Sequence, residues 1–214
     1  NDRIITVNFS IIESSSAVLH ARARDIARWL NCGEKLLVFD DQPMVYYLAR
    51  VNNKIDLEKQ IVSLQEFTVQ FKCRPFMYSF INSLTENLQL GQGLQLGYGL
   101  RLDMKPATFS ISKNTDITVY NAGDYVKPTF KITGTANIIS LTCNGKTLTY
   151  NVPLLAGKEL IIDSEKYTAT LNGELVNNNM TGSFFELENG NNTINVSGEN
   201  LDIDLDVIFK YRYL

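Results

Sequence analysis

Three carboxylates near the end of the chain have the spacing that most directly suggests metal chemistry. Asp202, Asp204 and Asp206 form a D-x-D-x-D run, a pattern found in loops that wrap a calcium ion. On a β-strand, however, alternate side chains stand in a row about 7 Å apart. The glycine-centred loop that closes around calcium is also missing here. We therefore predict a solvent-exposed strand face at these positions and no metal site.

The other groups with chemical potential do not form a catalytic set. His20 is the one histidine in the sequence, and no partner that would orient it as a general base is found nearby. Asp40 and Asp41 form the densest carboxylate pair, but they lead into Pro43 in a pattern typical of a turn. No nucleophile accompanies them. We predict that the protein is not an enzyme, that it has no catalytic residue and that it binds no cofactor.

The three cysteines are odd in number and far apart in the sequence. Cys32, Cys73 and Cys143 include no Cys-x-x-Cys pair, and a single histidine nearly excludes a mixed cysteine and histidine metal site. We predict that all three thiols are reduced and buried, where they pack as small apolar side chains.

Charge and hydropathy argue against two classes of partner. The formal net charge is −3 and no long basic run is present, so nucleic-acid-specific binding is not predicted. Arg22, Arg24 and Arg28 are interleaved with Asp25, which is typical of a solvated helix face. No apolar run approaches the roughly 18 residues that a membrane span requires, so no membrane span is predicted.

The first half of the chain predicts an antiparallel sheet that is covered by one helix. Apolar and polar residues alternate over residues 3–11, which indicates a half-buried strand. A serine run and Gly33 bracket a helix predicted at about residues 15–32, and its apolar stripe consists of Leu19, Ala23, Ile26, Ala27 and Leu30. Further strands are predicted at residues 35–39, at 46–51, from 55 onward and at 67–73. Turns are predicted between them at residues 40–43 and 52–54. The short connections favour antiparallel pairing.

The second half predicts a β-sandwich. From residue 108 onward, roughly nine short alternating segments are separated by Gly or Asn turns. In the last segment, residues 201–213, the three aspartates point to one side, and the opposite side carries Ile203, Leu205, Val207 and Phe209. Between the two halves, residues 88–99 contain a near-duplication of Leu-Gln-Leu-Gly. We interpret it as an extended hairpin or flexible arm at the domain junction, where it would contact a neighbouring subunit.

Several short motifs occur in the order found in one protein family. The helix ends in Ala-Arg-Trp-Leu-Asn, and the following strand leads through Phe-Asp-Asp and Pro43 to Tyr-Tyr-Leu-Ala-Arg-Val. A later strand closes on Cys-Arg-Pro-Phe at residues 73–76. In the second half, the matching stretches are residues 119–123, 128–132, 159–163, 171–173 and 184–192. The chain resembles the distal tail proteins of siphoviruses, the phages with long non-contractile tails.

The resemblance implies a mainly β fold with two domains. Residues 1–107 would form an N-terminal antiparallel β-sandwich or barrel-like domain with one covering α-helix, which closes the ring of subunits. Residues 108–214 would form a galectin-like β-sandwich. Family members usually carry a further N-terminal segment of a few strands, which this sequence lacks, and residues 84–105 fit the family pattern poorly.

The function implied by the resemblance is that of a baseplate hub in a phage or prophage. Copies of the chain would form a hexameric ring that joins the tail tube to the tip and the host-adsorption apparatus. The partners would be further copies of the chain, the tail tube protein, a tail-tip protein of the tail-associated lysin type, and receptor-binding or baseplate proteins. The protein would be made in the cytoplasm of the bacterial host and would reside at the tail tip of the virion.

The alternative function is a carbohydrate-binding module that attaches the particle to the host cell wall. A galectin-like domain raises this possibility, although similarity of fold does not bring the function with it. Sugar sites of that kind stack a ring on tryptophan and use histidine, but Trp29 and His20 both lie in the first half. The aromatic residues that would have to substitute are Tyr120, Tyr125, Tyr150 and Tyr167.

Overall fold

The computed structural model of the chain describes residues 2–12, 15–52, 66–85, 97, 100–101 and 103–214. Most of these residues lie in β-strands, which confirms the predicted mainly β fold class. The chain divides into two compact units, Asn1–Tyr78 with Leu214, and Ser79–Tyr213. The domain boundary predicted after residue 107 lies later in the chain than this division. Residues 86–96, between the two positions, are not described, so the boundary after residue 107 stays a prediction.

The described part of the first unit consists of one helix and four strands of a five-stranded sheet. Its elements are β1 (Arg3–Ser10), α1 (Ser16–Leu30), β2 (Lys35–Leu37), β3 (Val45–Val51) and β4 (Glu66–Asn82), the last of which ends in the second unit. The strand order is β1-β4-β3-β2, and β1 pairs with β4, and β2 with β3, in antiparallel register. The strand predicted from residue 55 and most of the turn predicted at residues 52–54 lie outside the described residues.

Helix α1 is shorter than the predicted span of residues 15–32. Ser15 precedes it with extended backbone, and Asn31 ends it by donating its backbone N–H to the carbonyl of Ala27. Gly33, predicted as the residue directly after the helix end, lies one position further on, with φ of +74°. The predicted stripe is confirmed, because Leu19, Ala23 and Leu30 are buried.

The core of the first unit joins this stripe to the sheet. Four alternate residues of β4 are buried, as expected from the period of two: Phe67, Val69, Phe71 and Cys73. Phe9 on β1 stacks on Phe67 with ring centroids 5.1 Å apart. Burial of a side chain of this size stabilises the fold by about 1.5–3 kcal/mol, so the stripe and the sheet hold each other in place.

The second unit contains two sheets. Its strands are β5 (Thr108–Ile111), β6 (Thr115–Asn121), β7 (Thr129–Thr135), β8 (Ile138–Cys143), β9 (Lys146–Tyr150), β10 (Glu159–Asp163), β11 (Thr168–Leu171), β12 (Glu174–Leu175), β13 (Met180–Gly182), β14 (Gly190–Glu199), β15 (Asp202–Ile208) and β16 (Lys210–Tyr213). The first sheet has the order β12-β11-β10-β7-β15-β5, and the second has the order β13-β9-β8-β14-β6. Strand β16 lies in neither of these sheets and pairs with β4.

The strands of the second unit outnumber the roughly nine segments expected of its sequence. Strands β12 and β13 have only two and three residues, too few for alternation to reveal them. The segment predicted over residues 201–213 is divided into β15 and β16 at Phe209.

Alternation within the long strands builds the core of the second unit. The fully buried side chains include Phe130, Ile132, Leu160, Ile194, Val196, Leu205 and Val207. In the same core, Phe130 lies 5.4 Å from the ring of Phe185. Close approach of β7 to β15 requires a glycine at position 134. Gly134 has φ of +108°, and a Cβ there would collide with the backbone carbonyl of Asp202.

Candidate functional site

The three C-terminal aspartates lie along β15 on the side opposite the core, as predicted. Asp204 accepts a hydrogen bond from Ser110 Oγ at 2.6 Å, and Asp206 accepts one from Thr108 Oγ1 at 2.8 Å. Their carboxylates therefore bond across to the neighbouring strand β5 instead of converging on one point. In the described part of the chain, no group of three His, Cys, Asp or Glu residues is placed to hold a metal ion.

The polar residues of the first unit that the sequence singled out lie on separate elements, helix α1 and the turn after β2. His20 is exposed on α1, and Arg28 forms an exposed ion pair with Asp25, with 3.4 Å between Nη1 and Oδ1. Asp40 and Asp41 lie in the predicted turn, which is closed by a hydrogen bond from Gln42 N to Phe39 O. The interpretation of these residues as a solvated helix face and a turn agrees with their positions.

The prediction that all three cysteines are buried is wrong for Cys32. Cys73 and Cys143 are buried, and burial raises the pKa of both thiols. Cys32 is exposed, because it lies two residues beyond the end of α1 at Leu30 and is not part of the apolar stripe. Sequence composition alone does not separate these two environments.

The four tyrosines of the carbohydrate hypothesis do not line one pocket. Tyr150 is only 1% exposed, so it cannot contact a sugar at the surface. Its inclusion among the candidate sugar-binding residues was therefore wrong. Tyr120 and Tyr125 line two different cavities of the second unit. Tyr167 is exposed and accepts a hydrogen bond from Lys127 Nζ at 2.8 Å.

The first of these cavities has a volume of about 430 Å³ and is lined by Arg101, Asp103, Tyr120 and Tyr211, among others. Arg101 Nη2 donates to Asp103 Oδ2 at 2.9 Å, and its guanidinium carbon lies 5.2 Å from the ring centroid of Tyr120. Burial raises the pKa of the Tyr211 hydroxyl, and Tyr120 adds to this effect. Arg101 and Asp103 therefore neutralise each other within the wall of this cavity.

The second cavity, which we call the Tyr125 cavity, has a volume of about 410 Å³. The residues that line it are Tyr125, Asn144, Lys146, Phe185, Glu186 and Glu188. The β8–β9 connection forms one wall, where Asn144 and Gly145 both have positive φ, as a two-residue hairpin turn requires. The segment before β14 forms another wall, and neither glutamate was singled out by the sequence analysis.

Buried amide side chains hold the walls of the Tyr125 cavity. Asn192, 3% exposed, accepts a hydrogen bond from Glu188 N at 2.8 Å and donates to Glu188 O at 2.8 Å. Asn121, fully buried, donates to Asp124 O at 2.7 Å and to Glu188 O at 3.2 Å. Val126 and Leu187 exchange two backbone hydrogen bonds of 2.8 Å between the same segments. Buried polar groups that are fully bonded rigidify a structure, so this cavity is preformed.

Among the strands that the structure describes, the sheet order of the first unit ends in two different strands, β1 and β2. Ile4 on β1 is 56% exposed. Beside β2, Trp29 and Leu36 line a shallow cavity of about 100 Å³ and are 62% and 53% exposed; we call these two residues the Trp29 patch. A helix turns about 100° per residue, so the position of Trp29 next to buried Leu30 was the signal that it lies beside the stripe.

Two family models match the chain. The model of the phage tail protein RIFT-related domain matches residues 1–73, within the first unit. The model of the C-terminal domain of the siphovirus-type tail component matches residues 120–213, within the second unit. The two matches together cover well over half of the chain.

Comparison with curated protein sequences gives no match. Among solved structures, the fold is similar to the crystal structure of the Dit protein (gp 19.1) of phage SPP1, with a TM-score of 0.69 and 14% sequence identity. The alignment covers 100% of this chain and 80% of that one. The SPP1 protein is described as a paradigm of the hub adsorption apparatus in phages that infect Gram-positive bacteria. At this identity the likeness concerns the fold.

These findings define a tail component of siphovirus-type phages, which is a structural part of the virion tail. The family can be stated more narrowly, because the chain combines a RIFT-related domain with the siphovirus-type C-terminal domain and has a fold similar to that of SPP1 Dit. The chain belongs to the siphophage distal tail protein family, which confirms the resemblance seen in its motifs. Among the described residues, no helix has the length and apolar character to cross a membrane.

Proposed function

We propose that this protein is the distal tail hub of its phage: a hexameric ring that joins the tail tube to the tip and the host-adsorption apparatus. Membership of the distal tail protein family and the similarity to the SPP1 hub protein support this function. In this role the protein acts through packed surfaces and performs no bond chemistry. It is made in the host cytoplasm and then resides at the tail tip.

The observation that carries the proposal is the pair of unlike edges of the first unit's sheet. A closed ring needs head-to-tail contacts, so each subunit must present two different surfaces to its two neighbours. Strands β1 and β2 are the ends of the sheet order within the described residues, and they expose different side chains, Ile4 on the one and Leu36 on the other. An edge strand that exposes apolar residues invites pairing with another chain. We assign the β1 edge and the β2 edge to the two sides of the ring contact.

The Trp29 patch gives the β2 side of this contact an apolar anchor. Tryptophan is enriched among the residues that dominate interface energies, with losses of about 2 kcal/mol or more on truncation to alanine. Trp29 is a large side chain left 62% exposed, although its neighbour Leu30 is buried. A subunit contact that covers the Trp29 patch accounts for this exposure.

The other partners follow from the same role. The tail tube protein and a tail-tip protein of the tail-associated lysin type would contact the ring, and the second unit would receive receptor-binding or baseplate proteins. Residues 88–99, which lie largely outside the described residues, would add a contact between neighbouring subunits.

Light scattering at several protein concentrations tests the ring directly. We expect a species with the mass of a hexamer of the 24.2 kDa chain, and ring-shaped particles in negative-stain images. A monomer at every concentration would contradict the assignment of both edges.

A mixing experiment tests the head-to-tail contact. Ile4→Lys blocks the β1 edge and Leu36→Lys blocks the β2 edge, because lysine on an edge strand opposes pairing. Each variant alone should be monomeric. Their equimolar mixture should form a dimer and stop there, since one intact edge of each kind remains. Tyr167→Lys, an exposed position in the second unit, is the matched control and should still form rings. A mixture that stays monomeric would show that these edges do not meet.

A further inference from the structure

We propose that Asn144 is a site of spontaneous covalent modification, at which its side-chain amide is converted to aspartate and isoaspartate. Asn144 is followed by Gly145, and both residues are exposed in the turn between β8 and β9. An asparagine before a glycine is chemically reactive, because glycine has no side chain to hinder attack by its backbone nitrogen. This inference goes beyond the hub function and does not depend on it.

The reaction requires only the chain and solvent water. The backbone nitrogen of Gly145 attacks the side-chain carbonyl carbon of Asn144, and a new C–N bond closes a five-membered imide ring. The bond from that carbon to the amide nitrogen breaks, and ammonia leaves with the proton that Gly145 loses. Water then adds to one of the two imide carbonyls, which gives aspartate or isoaspartate according to the side on which the ring opens. No group is oxidised or reduced, and the chain gains one carboxylate.

The chain contains a matched pair of Asn-Gly turns, of which only one is protected. Asn172 and Gly173 occupy the two-residue turn between β11 and β12 with φ of 48° and 87°, close to the 49° and 74° of Asn144 and Gly145. Asn172 Oδ1 accepts a hydrogen bond from Glu159 N at 2.8 Å, and Asn172 N donates to Glu159 O at 2.8 Å. These two bonds fasten Asn172 to the neighbouring strand β10 and oppose the rotation that ring closure needs.

The third Asn-Gly dipeptide of the sequence is held in a different way. Asn189 Nδ2 donates to Gly123 O at 2.7 Å, so its amide is engaged with a distant segment. Gly190, whose nitrogen would attack, is the first residue of β14 and lies opposite Asn121 in the sheet. Both partners of the reaction are therefore restrained at this position.

Asn144 lacks these restraints. Its side chain makes no hydrogen bond to any other residue that the structure describes, although it lines the Tyr125 cavity. A Cβ placed at Gly145 would meet no atom within 4 Å, so the attacking residue lies in open surroundings. Ring closure requires the backbone of Asn144 to rotate out of its turn, which local opening of an exposed hairpin tip permits. Asn172 needs the same opening and must also lose its bonds to Glu159, so Asn144 should react first.

The products change the second unit in two ways. Isoaspartate leads the main chain through the side-chain carbon and lengthens the turn, whereas the length of a hairpin turn fixes the register of its strands. Either product adds a negative charge to the cavity lining that already contains Glu186 and Glu188, and like charges repel. The modified fraction grows with time, so old and newly made chains differ at this hairpin.

The test is incubation of the folded full chain at mildly alkaline pH, followed by peptide mass spectrometry of the three dipeptides. We expect Asn144 to be converted several-fold faster than Asn172 and Asn189, with both isoaspartate and aspartate among the products. In ¹⁸O-labelled water, each converted site should gain one oxygen atom from the solvent. In urea the three rates should become similar, because the contacts that distinguish the sites are lost.

Gly145→Ala should slow the conversion of Asn144 several-fold, because the added side chain hinders the attack. Gly173→Ala, which makes the same change in the other turn, is the matched control and should leave the rate at Asn144 unchanged. The proposal is overturned if Gly145→Ala has no effect on that rate, or if Asn144 reacts no faster than Asn172 in the unmodified folded chain. A product without isoaspartate would also overturn it, since direct hydrolysis of the amide gives aspartate alone. The comparison within the unmodified chain holds even where a variant fails to fold, and no readout depends on ring formation.

Discussion

Arg74 and Glu34 form a two-point ion pair across the first unit. Arg74 Nε donates to Glu34 Oε1 at 3.0 Å, and Arg74 Nη2 donates to Oε2 at 2.7 Å. The pair connects β4 to the residue that precedes β2, 40 positions away in sequence. The hydrogen bond from Arg74 is the main cause that lowers the pKa of Glu34 below its usual value. The pair thus helps to position the proposed β2 edge.

Glu34→Gln should reduce stability at neutral pH and have little effect in acid. Because the pKa of Glu34 is lowered in the folded state, the ion pair stabilises that state above the unfolded pKa of about 4.3. This contribution is lost as the pH falls through the folded-state value. The side chains are 53% and 41% exposed, so we expect about 0.2–1 kcal/mol at pH 7. Urea unfolding at pH 7 and pH 3 measures it, with exposed Glu174→Gln as control. An equal loss at both pH values would contradict the ion-pair explanation.

Gly134→Ala should destabilise the second unit by about 2–4 kcal/mol, since it adds both a strained positive φ and a collision with the carbonyl of Asp202. Gly173 also has positive φ, +87°, but a Cβ there meets no atom within 4 Å. Gly173→Ala should therefore cost only about 1 kcal/mol. Thermal unfolding of the two variants separates strain from collision, and equal losses would exclude the close contact between β7 and β15.

Only Cys32 should react rapidly with a thiol reagent in the folded protein. Cys73 and Cys143 are buried, and the raised pKa of their thiols leaves less of the reactive thiolate at neutral pH. Mass spectrometry after brief labelling with iodoacetamide should show one modification, which Cys32→Ser removes. In urea all three cysteines should react. Two fast-reacting thiols in the native protein would contradict the burial described here.

Calcium should not change the melting temperature. Asp204 and Asp206 already accept hydrogen bonds from Ser110 and Thr108, and the strand holds the carboxylates in a row. A ligand that binds the folded state raises its stability by mass action, so thermal scans with calcium and with EDTA report binding. A calcium-dependent rise in melting temperature that disappears in Asp204→Asn would contradict this expectation.

The alternation of side chains was sufficient to predict β15 and the first part of β4, residues 67–73, with their buried faces, whereas β4 continues to Asn82. The pattern of Ile203, Leu205 and Val207 against three aspartates gave the orientation of β15 correctly, because polar residues on one side leave only the other for the core. The same period would have shown that Tyr150 shares the side of buried Leu148 on β9. The interpretation of Tyr150 as a surface residue used only its residue type and ignored its place in the alternation of β9.

Other features depend on contacts between distant segments and leave no local pattern. Glu186 and Glu188 become a cavity wall only because Asn121 and Asn192 fasten their segment from elsewhere in the chain. Cys32 and Cys73 are the same residue type, and only the position beyond α1 exposes the first. The short strands β12 and β13 form because neighbouring strands β11 and β9 offer them an edge.

Helix α1 is supported unevenly along its length. The Ser15 side chain makes no capping hydrogen bond and the first turn carries no acidic residue, whereas the buried contacts begin at Leu19. The amide hydrogens of the first turn should therefore exchange with solvent through local opening, well before those of the last turn. Any neighbouring molecule that settles on this end of the helix would slow that exchange, so the start of α1 can serve as a natural reporter of assembly.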